Sequence, residues 1–110
     1  ITGGAKGIGR GIALDLAAQH WKIAFCYRTS EAEAQKTSLA ITERGGQAVA
    51  IRCNVSNPVA AKSLVAQVEQ AWGRIDVLIN GAGPYHRINL FEETVEGWNG
   101  MVDSNLHPVF

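Results

Sequence analysis

Apolar residues recur along this chain with two spacings that alternate. Short apolar runs at positions 22–27, 47–53 and 75–80 have the length of buried strands. Between these runs apolar residues return every three or four positions, as Ile8, Ile12 and Leu16 do, which is the period of an α-helix. The pattern predicts helices up to about residue 18, over 31–44 and 58–72, and from residue 95 to the end of the chain. Strands that alternate with helices predict an α/β fold with a parallel sheet.

Local signals mark the ends of the helices. Ser30 and Glu33 have the spacing of a capping box, and Asn57, which a proline follows, is typical of an N-cap. Thr94 is the predicted N-cap of the last helix. Glycines follow the second and third helices, the latter at Gly73, where a left-handed residue commonly ends a helix.

The order of the strands in the sheet can also be predicted. Ile1 directly precedes a glycine-rich segment, so it represents the last residue of a first strand, and the three apolar runs are strands two to four. Right-handed crossovers with a change of direction after the third strand give the order 3-2-1-4. This is part of a Rossmann-type doubly wound sheet in a three-layer α/β/α arrangement. We expect residues 1–110 to form one nucleotide-binding domain that is cut at both ends, so that the sheet is incomplete.

The glycine-rich segment carries the first candidate chemistry. Gly3, Gly7 and Gly9 lie between a strand end and a helix start, where a tight turn requires positive φ. The free amides and the positive dipole end of the following helix attract a pyrophosphate. A glycine-rich turn alone is weak evidence, but the strand, turn, helix and strand around it predict a dinucleotide site.

Composition narrows the class of partner. The chain is 46% hydrophobic with a formal net charge of +0, so nothing favours nucleic acid, and no apolar stretch predicts a transmembrane helix. Cys26 and Cys53 fall in predicted buried strands, where we expect reduced thiols and a cytoplasmic protein. A disulfide or a metal pair is the alternative, but no further ligand has metal-binding spacing, and no metal site is predicted.

Four motifs in order resemble those of the short-chain dehydrogenase/reductase family, and together they span essentially the whole chain. They are the loop Thr2-Gly3-x-x-x-Gly7-Ile8-Gly9, the pair Asn54-Val55, the segment Asn80-Gly81-Ala82-Gly83, and Trp98, Val102 and Asn105 in the last helix. The resemblance implies hydride transfer between a nicotinamide cofactor and a carbonyl or secondary alcohol, with the first three motifs in contact with the cofactor.

Two residues depart from the family pattern. Asn54 replaces an Asp that contacts the adenine amino group in the family, and an amide oxygen accepts that hydrogen bond without charge assistance. Gly81 replaces a second Asn, at a position that we expect to be structural and to tolerate the change.

The choice of cofactor is predicted from the end of the second strand. Enzymes that choose NAD generally have an acidic residue there, which accepts from the ribose 2′-hydroxyl. This chain has Tyr27 followed by Arg28, and Lys6 lies in the glycine loop. Arg and Lys suit a 2′-phosphate, so NADP(H) is predicted; the alternative is that both cations are solvated surface residues.

The catalytic residues of the family are only partly represented. The resemblance implies that Asn105 holds a water in a proton relay; the alternative is an Asn that satisfies a local carbonyl. Four residues after Tyr27 and Tyr85 stand Glu31 and Asn89, so neither tyrosine begins the Tyr-x-x-x-Lys pair of the family. The family's Ser, Tyr and Lys are therefore expected beyond residue 110. Segment 84–91 is a candidate contact for nicotinamide or substrate, and its His86 is a weaker candidate base.

The sequence therefore predicts an NADP(H)-dependent oxidoreductase. Its partners would be a small carbonyl or alcohol substrate or an acyl thioester, as for the 3-oxoacyl-[acyl-carrier-protein] reductases of the family, with neither nucleic acid nor membrane. The resemblance further implies a homodimer or homotetramer. Two alternatives remain: an NADP(H)-binding sensor without catalysis, and a methyltransferase whose glycine loop binds S-adenosylmethionine, which the segment Asn80-Gly81-Ala82-Gly83 disfavours.

Overall fold

The computed structural model describes residues 1–85 and 87–110. In this part of the chain strands and helices alternate as the hydrophobic pattern predicts. They are α1 (Gly7–Ala17), β1 (Lys22–Tyr27), α2 (Glu31–Glu43), β2 (Gln47–Arg52), α3 (Pro58–Trp72) and α4 (Val95–Asn105), with 3₁₀ turns at Leu90–Glu92 and His107–Val109.

The sheet has the predicted order. β1 and β2 are parallel and in register, from Lys22 beside Gln47 to Tyr27 beside Arg52. Thr2 makes one parallel bridge with Cys26 and another with Asn80, so the order across the sheet is β2, β1, residue 2 and residue 80. This confirms the order 3-2-1-4 in an incomplete Rossmann-type sheet.

The predicted strand over residues 75–80 is wrong in its extent. Within the described chain this segment contributes a single bridge, at Asn80, beside which the Thr2 N–H donates to the Ile79 carbonyl at 2.9 Å. Apart from this bridge, the described residues give the segment no ladder with a neighbouring strand. A cavity of about 340 Å³ lies between this segment, β1 and α3.

The core lies on one face of β1, where α1 and α2 cover the sheet. Phe25 is buried there with Leu14, Ala34 and Ile41. α1 lies against β1 through small residues such as Ala13, whose size lets helix and strand approach closely. The glycine turn between residue 2 and α1 is therefore supported from below by a close-packed layer.

Most of the helix ends are as predicted. The side chain of Asn57 accepts from the amides of Val59 at 2.9 Å and of Ala60 at 3.0 Å, and α3 ends before Gly73, whose φ is 79°. The Thr94 hydroxyl accepts from the amide of Gly97 at 3.0 Å. These contacts confirm the predicted caps of α3 and α4.

Two predictions about helix ends are wrong. In the described structure the Ser30 side chain caps no amide of α2, and Glu33 accepts from Lys36 at 2.9 Å, so the two do not form a capping box. The last helix ends at Asn105 rather than continuing to residue 110. Pro108 explains this end, since it has no N–H to donate to the carbonyl of Ser104, as a continuing α-helix would require.

No helix in residues 1–85 and 87–110 is both long enough and apolar enough to cross a membrane.

Candidate functional site

A groove of about 450 Å³ lies at the carboxyl ends of the strands, the edge at which open α/β sheets bind ligands. Four loop segments line it, namely the glycine turn, the end of β1, the end of β2 and the segment after residue 80, together with Ser104 of α4. Twelve of the predicted cofactor residues are in its wall, namely Gly3, Lys6, Gly7, Ile8, Gly9, Tyr27, Arg28, Asn54, Val55, Gly81, Ala82 and Gly83. Asn80 is outside the wall and forms the bridge with Thr2.

The glycine turn has the backbone geometry that its sequence predicts. Gly3 has φ of 69° and Gly7 has φ of 57°, a region that side chains with a Cβ rarely adopt. A Cβ at Gly9 would lie 2.5 Å from the Gly3 carbonyl oxygen, so only glycine lets α1 start this close to the strand end. A Cβ at Gly7 would meet no atom within 4 Å, which shows that this side of the turn is open.

The first turn of α1 is available to a ligand. Its N-cap residue, Lys6, has extended backbone, and in the described structure its side chain caps no helix amide. The first amides of an α-helix have no partner inside the helix, and the helix dipole makes this end positive. An anion such as a pyrophosphate therefore fits the turn at its open side.

Thr2 holds the segment after residue 80 against the glycine turn. Its buried hydroxyl accepts from the amides of Gly81 and Ala82, each at 3.1 Å. A Cβ at Gly81 would lie 2.9 Å from the Thr2 carbonyl oxygen, so the glycine at this position permits a close approach of the two backbones. Thr2 belongs to the glycine motif, but the motif does not predict this hydroxyl contact.

A second hydroxyl, which the sequence pattern does not predict as part of the site, contacts the glycine turn from α2. Thr37 is completely buried, and its hydroxyl donates to the Ala5 carbonyl at 2.8 Å. The same hydroxyl accepts from Nε of Arg10 at 3.1 Å. A threonine in the middle of a helix carries no sequence signal for such a contact, because the partner is 32 residues away.

Two cations stand on the β1 side of the groove. Lys6 and Arg28 are both exposed and both line the groove, next to a half-buried Tyr27. Nε of Arg52 donates to the backbone carbonyl of Arg28 at 3.3 Å, which fixes the backbone at this corner. The hydrogen bond from Lys36 lowers the pKa of Glu33, with smaller contributions from the charges of Arg10 and Lys6, so this carboxylate is ionised beside the cations.

The end of β2 forms the next part of the wall. The Cys53 N–H continues the ladder by donating to the Tyr27 carbonyl at 2.8 Å. Oδ1 of Asn54 accepts from the amide of Ser56 at 3.2 Å, which leaves one of its two lone pairs free to accept another hydrogen bond. Cys26 and Cys53 are both buried free thiols, and burial raises the pKa of Cys53.

Asn105 lies next to the groove at the end of α4. Its side-chain nitrogen donates to the Met101 carbonyl at 2.9 Å and to the Pro84 carbonyl at 3.3 Å, and a Cβ on Gly83 would overlap with its Oδ1. The side chain thus satisfies the Met101 carbonyl within α4 and holds the segment after Gly83 through the Pro84 carbonyl.

The backbone carbonyl of Asn105 is in a different situation from its side chain. Pro108, three residues later, has no N–H, and the Val109 N–H donates to the Leu106 carbonyl at 3.1 Å. The two following amides that a helix would offer are therefore unavailable to this carbonyl.

The segment after Pro84 is described only in part. Tyr85 is 86% exposed, whereas His86 lies outside the described residues, so its suggested role as a base is untested.

The family model of the short chain dehydrogenases matches residues 1–110. The chain belongs to the short-chain dehydrogenase/reductase family. Its curated relatives include an uncharacterized oxidoreductase of Methylorubrum extorquens, 39% identical over 96% of this chain, and a 3-oxoacyl-[acyl-carrier-protein] reductase of Synechocystis, 36% identical over all of it.

Solved structures of family members have the same fold. A dehydrogenase/reductase from Sinorhizobium meliloti covers 100% of the chain with a TM-score of 0.94 and 34% identity. A short chain dehydrogenase from Burkholderia cenocepacia in complex with NADP covers 99% of it with a TM-score of 0.89 and 34% identity. The chain covers 43% and 44% of the lengths of the two curated relatives and 44% of each of these structures.

Proposed function

We propose that residues 1–110 are the cofactor-binding part of an NADP(H)-dependent oxidoreductase that acts on a carbonyl or secondary alcohol. The observation that carries the proposal is the groove, where four separate chain segments meet at the carboxyl ends of the strands. Membership of the family supports the reaction class, and the name of the Synechocystis relative supports an acyl thioester as one substrate class. When bound, the cofactor would supply or accept a hydride at its nicotinamide ring.

The glycine turn would hold the pyrophosphate. The open side of Gly7 leaves room for phosphate oxygens where a side chain would otherwise project, and the first amides of α1 would donate to them. Ile8 would contact another part of the cofactor, because it is 85% exposed at the start of α1, where an apolar side chain can cover one face of a bound ring.

Lys6 and Arg28 would bind the 2′-phosphate that distinguishes NADP(H) from NAD(H). Tyr27 stands where an acidic residue would repel that phosphate, and the two cations line the same corner of the groove. The Burkholderia cenocepacia structure in complex with NADP supports this choice by similarity.

At the far end of the groove the remaining predicted residues would bind the adenosine and close the pocket. The free lone pair of Asn54 Oδ1 would accept from the adenine amino group, with Val55 against the ring. The segment 81–83, held by the hydroxyl of Thr2, would form the opposite wall.

Asn105 would serve the proton relay through its backbone. Pro108 has no N–H to donate to the Asn105 carbonyl, so the oxygen would accept a hydrogen bond from a water instead. The family's Ser, Tyr and Lys would be supplied by residues after 110.

We also propose a homodimer or homotetramer, which the exposed apolar side chains of α4, such as Val95 and Trp98, support. The proposed location is the cytoplasm, where both thiols would stay reduced.

The test uses the full-length protein, with and without Arg28→Ala. We expect tight binding of NADPH, weaker binding of NADH, no binding of S-adenosylmethionine, and NADPH oxidation with at least one member of a panel of ketones and 3-oxoacyl thioesters. Arg28→Ala should weaken NADPH binding by about tenfold, the worth of one charged hydrogen bond, and leave NADH unchanged. Arg44→Ala, at the other end of α2, is the matched control. Binding without turnover would identify a sensor instead, and binding of S-adenosylmethionine would identify a methyltransferase.

A further inference from the structure

The buried hydroxyl of Thr37 has an unusual place in the fold. It belongs to the middle of α2, yet it donates to the carbonyl of Ala5, the residue before Lys6 in the glycine turn, at 2.8 Å. Its side chain is completely buried, like those of Phe25 and Ile41 in the same layer. A polar group in such a layer is costly unless it is satisfied, and here the hydroxyl is used both as donor and as acceptor.

We propose that Thr37 is a positioning residue for the cofactor, an inference that rests on the proposed NADP(H) site. In a trans peptide the C=O and the following N–H point in opposite directions. Holding the Ala5 carbonyl towards α2 therefore fixes the Lys6 N–H on the opposite side of the peptide plane, away from α2. The same peptide sets the direction of the chain into Gly7, whose open side would receive the pyrophosphate.

Arg10 limits the rotation of this hydroxyl. Its Nε donates to the Thr37 oxygen at 3.1 Å, so one lone pair of this oxygen is engaged while the hydroxyl hydrogen points at the Ala5 carbonyl. The contact joins three elements: α1 through Arg10, α2 through Thr37, and the turn through Ala5. α2 also follows directly after Arg28 and Ser30 in the groove wall, so the one hydroxyl keeps two walls of the groove at a set separation.

Loss of the Thr37 hydroxyl should affect cofactor binding differently from loss of Lys6 or Arg28, the residues proposed to bind the 2′-phosphate. The turn that Thr37 holds would contact the pyrophosphate, which NADPH and NADH have in common. Loss of the hydroxyl should therefore weaken both cofactors by the same factor, whereas loss of Arg28 should weaken NADPH alone. A ground-state contact of this kind raises KM for the cofactor and leaves kcat unchanged.

The experiment measures Kd and KM for NADPH and NADH on the full-length protein with Thr37→Val, which keeps the shape of the side chain, and with Thr37→Ser, which keeps the hydroxyl. We expect Thr37→Val to raise both constants about tenfold for both cofactors, close to the worth of one hydrogen bond, and Thr37→Ser to remain within about twofold of the wild type.

Two further variants serve as controls. Thr42→Val is the same substitution on the same helix, but its hydroxyl donates to the carbonyls of Ser38 and Leu39 within α2 and does not contact the turn. Ile41→Val removes a buried methyl group from the same layer and reports what loss of stability alone does to binding. Both should keep the wild-type constants for both cofactors.

Wild-type constants for Thr37→Val, or an equal increase for Ile41→Val, would overturn the proposal. If Thr37→Val does not fold, Thr37→Cys has a weaker donor of similar size, and it should raise KM at least threefold; an unchanged KM would again overturn the proposal. Wild-type protein that binds neither cofactor would instead refute the proposed function, so the two failures can be told apart.

Discussion

Three glycines near the start of α1 differ in their surroundings or backbone conformation, and alanine at each should have a different effect. A Cβ at Gly9 would lie 2.5 Å from the Gly3 carbonyl oxygen and 3.1 Å from the Gly4 Cα. Both contacts are with backbone atoms, which cannot rotate away, so the strand end and α1 must move apart. Gly9→Ala should therefore cost about 3 kcal/mol, the upper end of the range for overpacking.

Gly7 and Gly11 should behave differently from Gly9. At Gly7 a Cβ would meet nothing within 4 Å, but φ of 57° would cost a residue with a Cβ about 1–2 kcal/mol. At Gly11, inside α1, a Cβ would also meet nothing within 4 Å, so alanine should stabilise the helix by about 0.5–1 kcal/mol. The three substitutions add the same methyl group, so differences between them report position alone.

Thermal unfolding and NADPH titration of the full-length variants separate these effects. At about 2–4 °C per kcal/mol for a protein of 150–250 residues, Gly9→Ala should lower Tm by roughly 6–12 °C and Gly11→Ala should raise it by roughly 1–4 °C. Gly7→Ala should lower Tm modestly and weaken NADPH binding strongly, since its methyl group would occupy the proposed phosphate space. A Gly9→Ala protein as stable as Gly11→Ala would refute the steric argument, and unimpaired NADPH binding by Gly7→Ala would refute the placement of the pyrophosphate.

Three further predictions concern single contacts. Asn57→Ala should lower the free energy of unfolding by about 1 kcal/mol because two amides of α3 lose their cap, whereas Ser30→Ala, which removes no cap, should change it by less than about 0.5 kcal/mol in the same denaturant titration. Thr2→Val should cost about 1–3 kcal/mol, since the amides of Gly81 and its neighbour lose their acceptor; an unchanged unfolding curve would contradict this. Burial raises the pKa of Cys53, so its thiolate fraction at pH 8 is below that of a free thiol. Iodoacetamide should therefore modify Cys53 more slowly than it modifies glutathione, and the rate should increase as the pH rises. A rate equal to that of glutathione would contradict the burial.

The parts of the fold that depend on local chemistry could be predicted from the sequence. Gly73 ends α3, and Asn57 caps it, because a cap depends on residues within three or four positions of each other. The candidate cofactor residues come together for a similar reason, since each follows the carboxyl end of a strand and these ends lie on one edge of a parallel sheet. The sheet order required only the alternation of elements and the usual handedness of crossovers.

The errors come from interactions that are not local. Residues 75–80 have the composition of a buried strand, but a strand also needs a ladder of amide partners, and in the described residues this segment makes a bridge only at Asn80. Ser30 and Glu33 have the spacing of a capping box, but Lys36 offers Glu33 an ion pair on the next turn of α2. In the first case the local propensity lacks the tertiary partners that a ladder needs, and in the second a competing partner replaces the capping contact.

The contacts that hold the groove together follow the same division. Glycine at positions 3, 7 and 9 can be recognised in the sequence because the turn itself requires positive φ or a close backbone approach at these positions. The hydroxyls that tie the turn to its surroundings, those of Thr2 and Thr37, are separated from their partners by at least 27 residues. A glycine turn can therefore be recognised in the sequence, whereas the residues that set its shape become visible only once α2 and the segment after residue 80 are placed against it. If the shape of the turn controls cofactor affinity, then variation in affinity among chains with the same glycine motif should follow the residues at positions 2 and 37 as well as the motif.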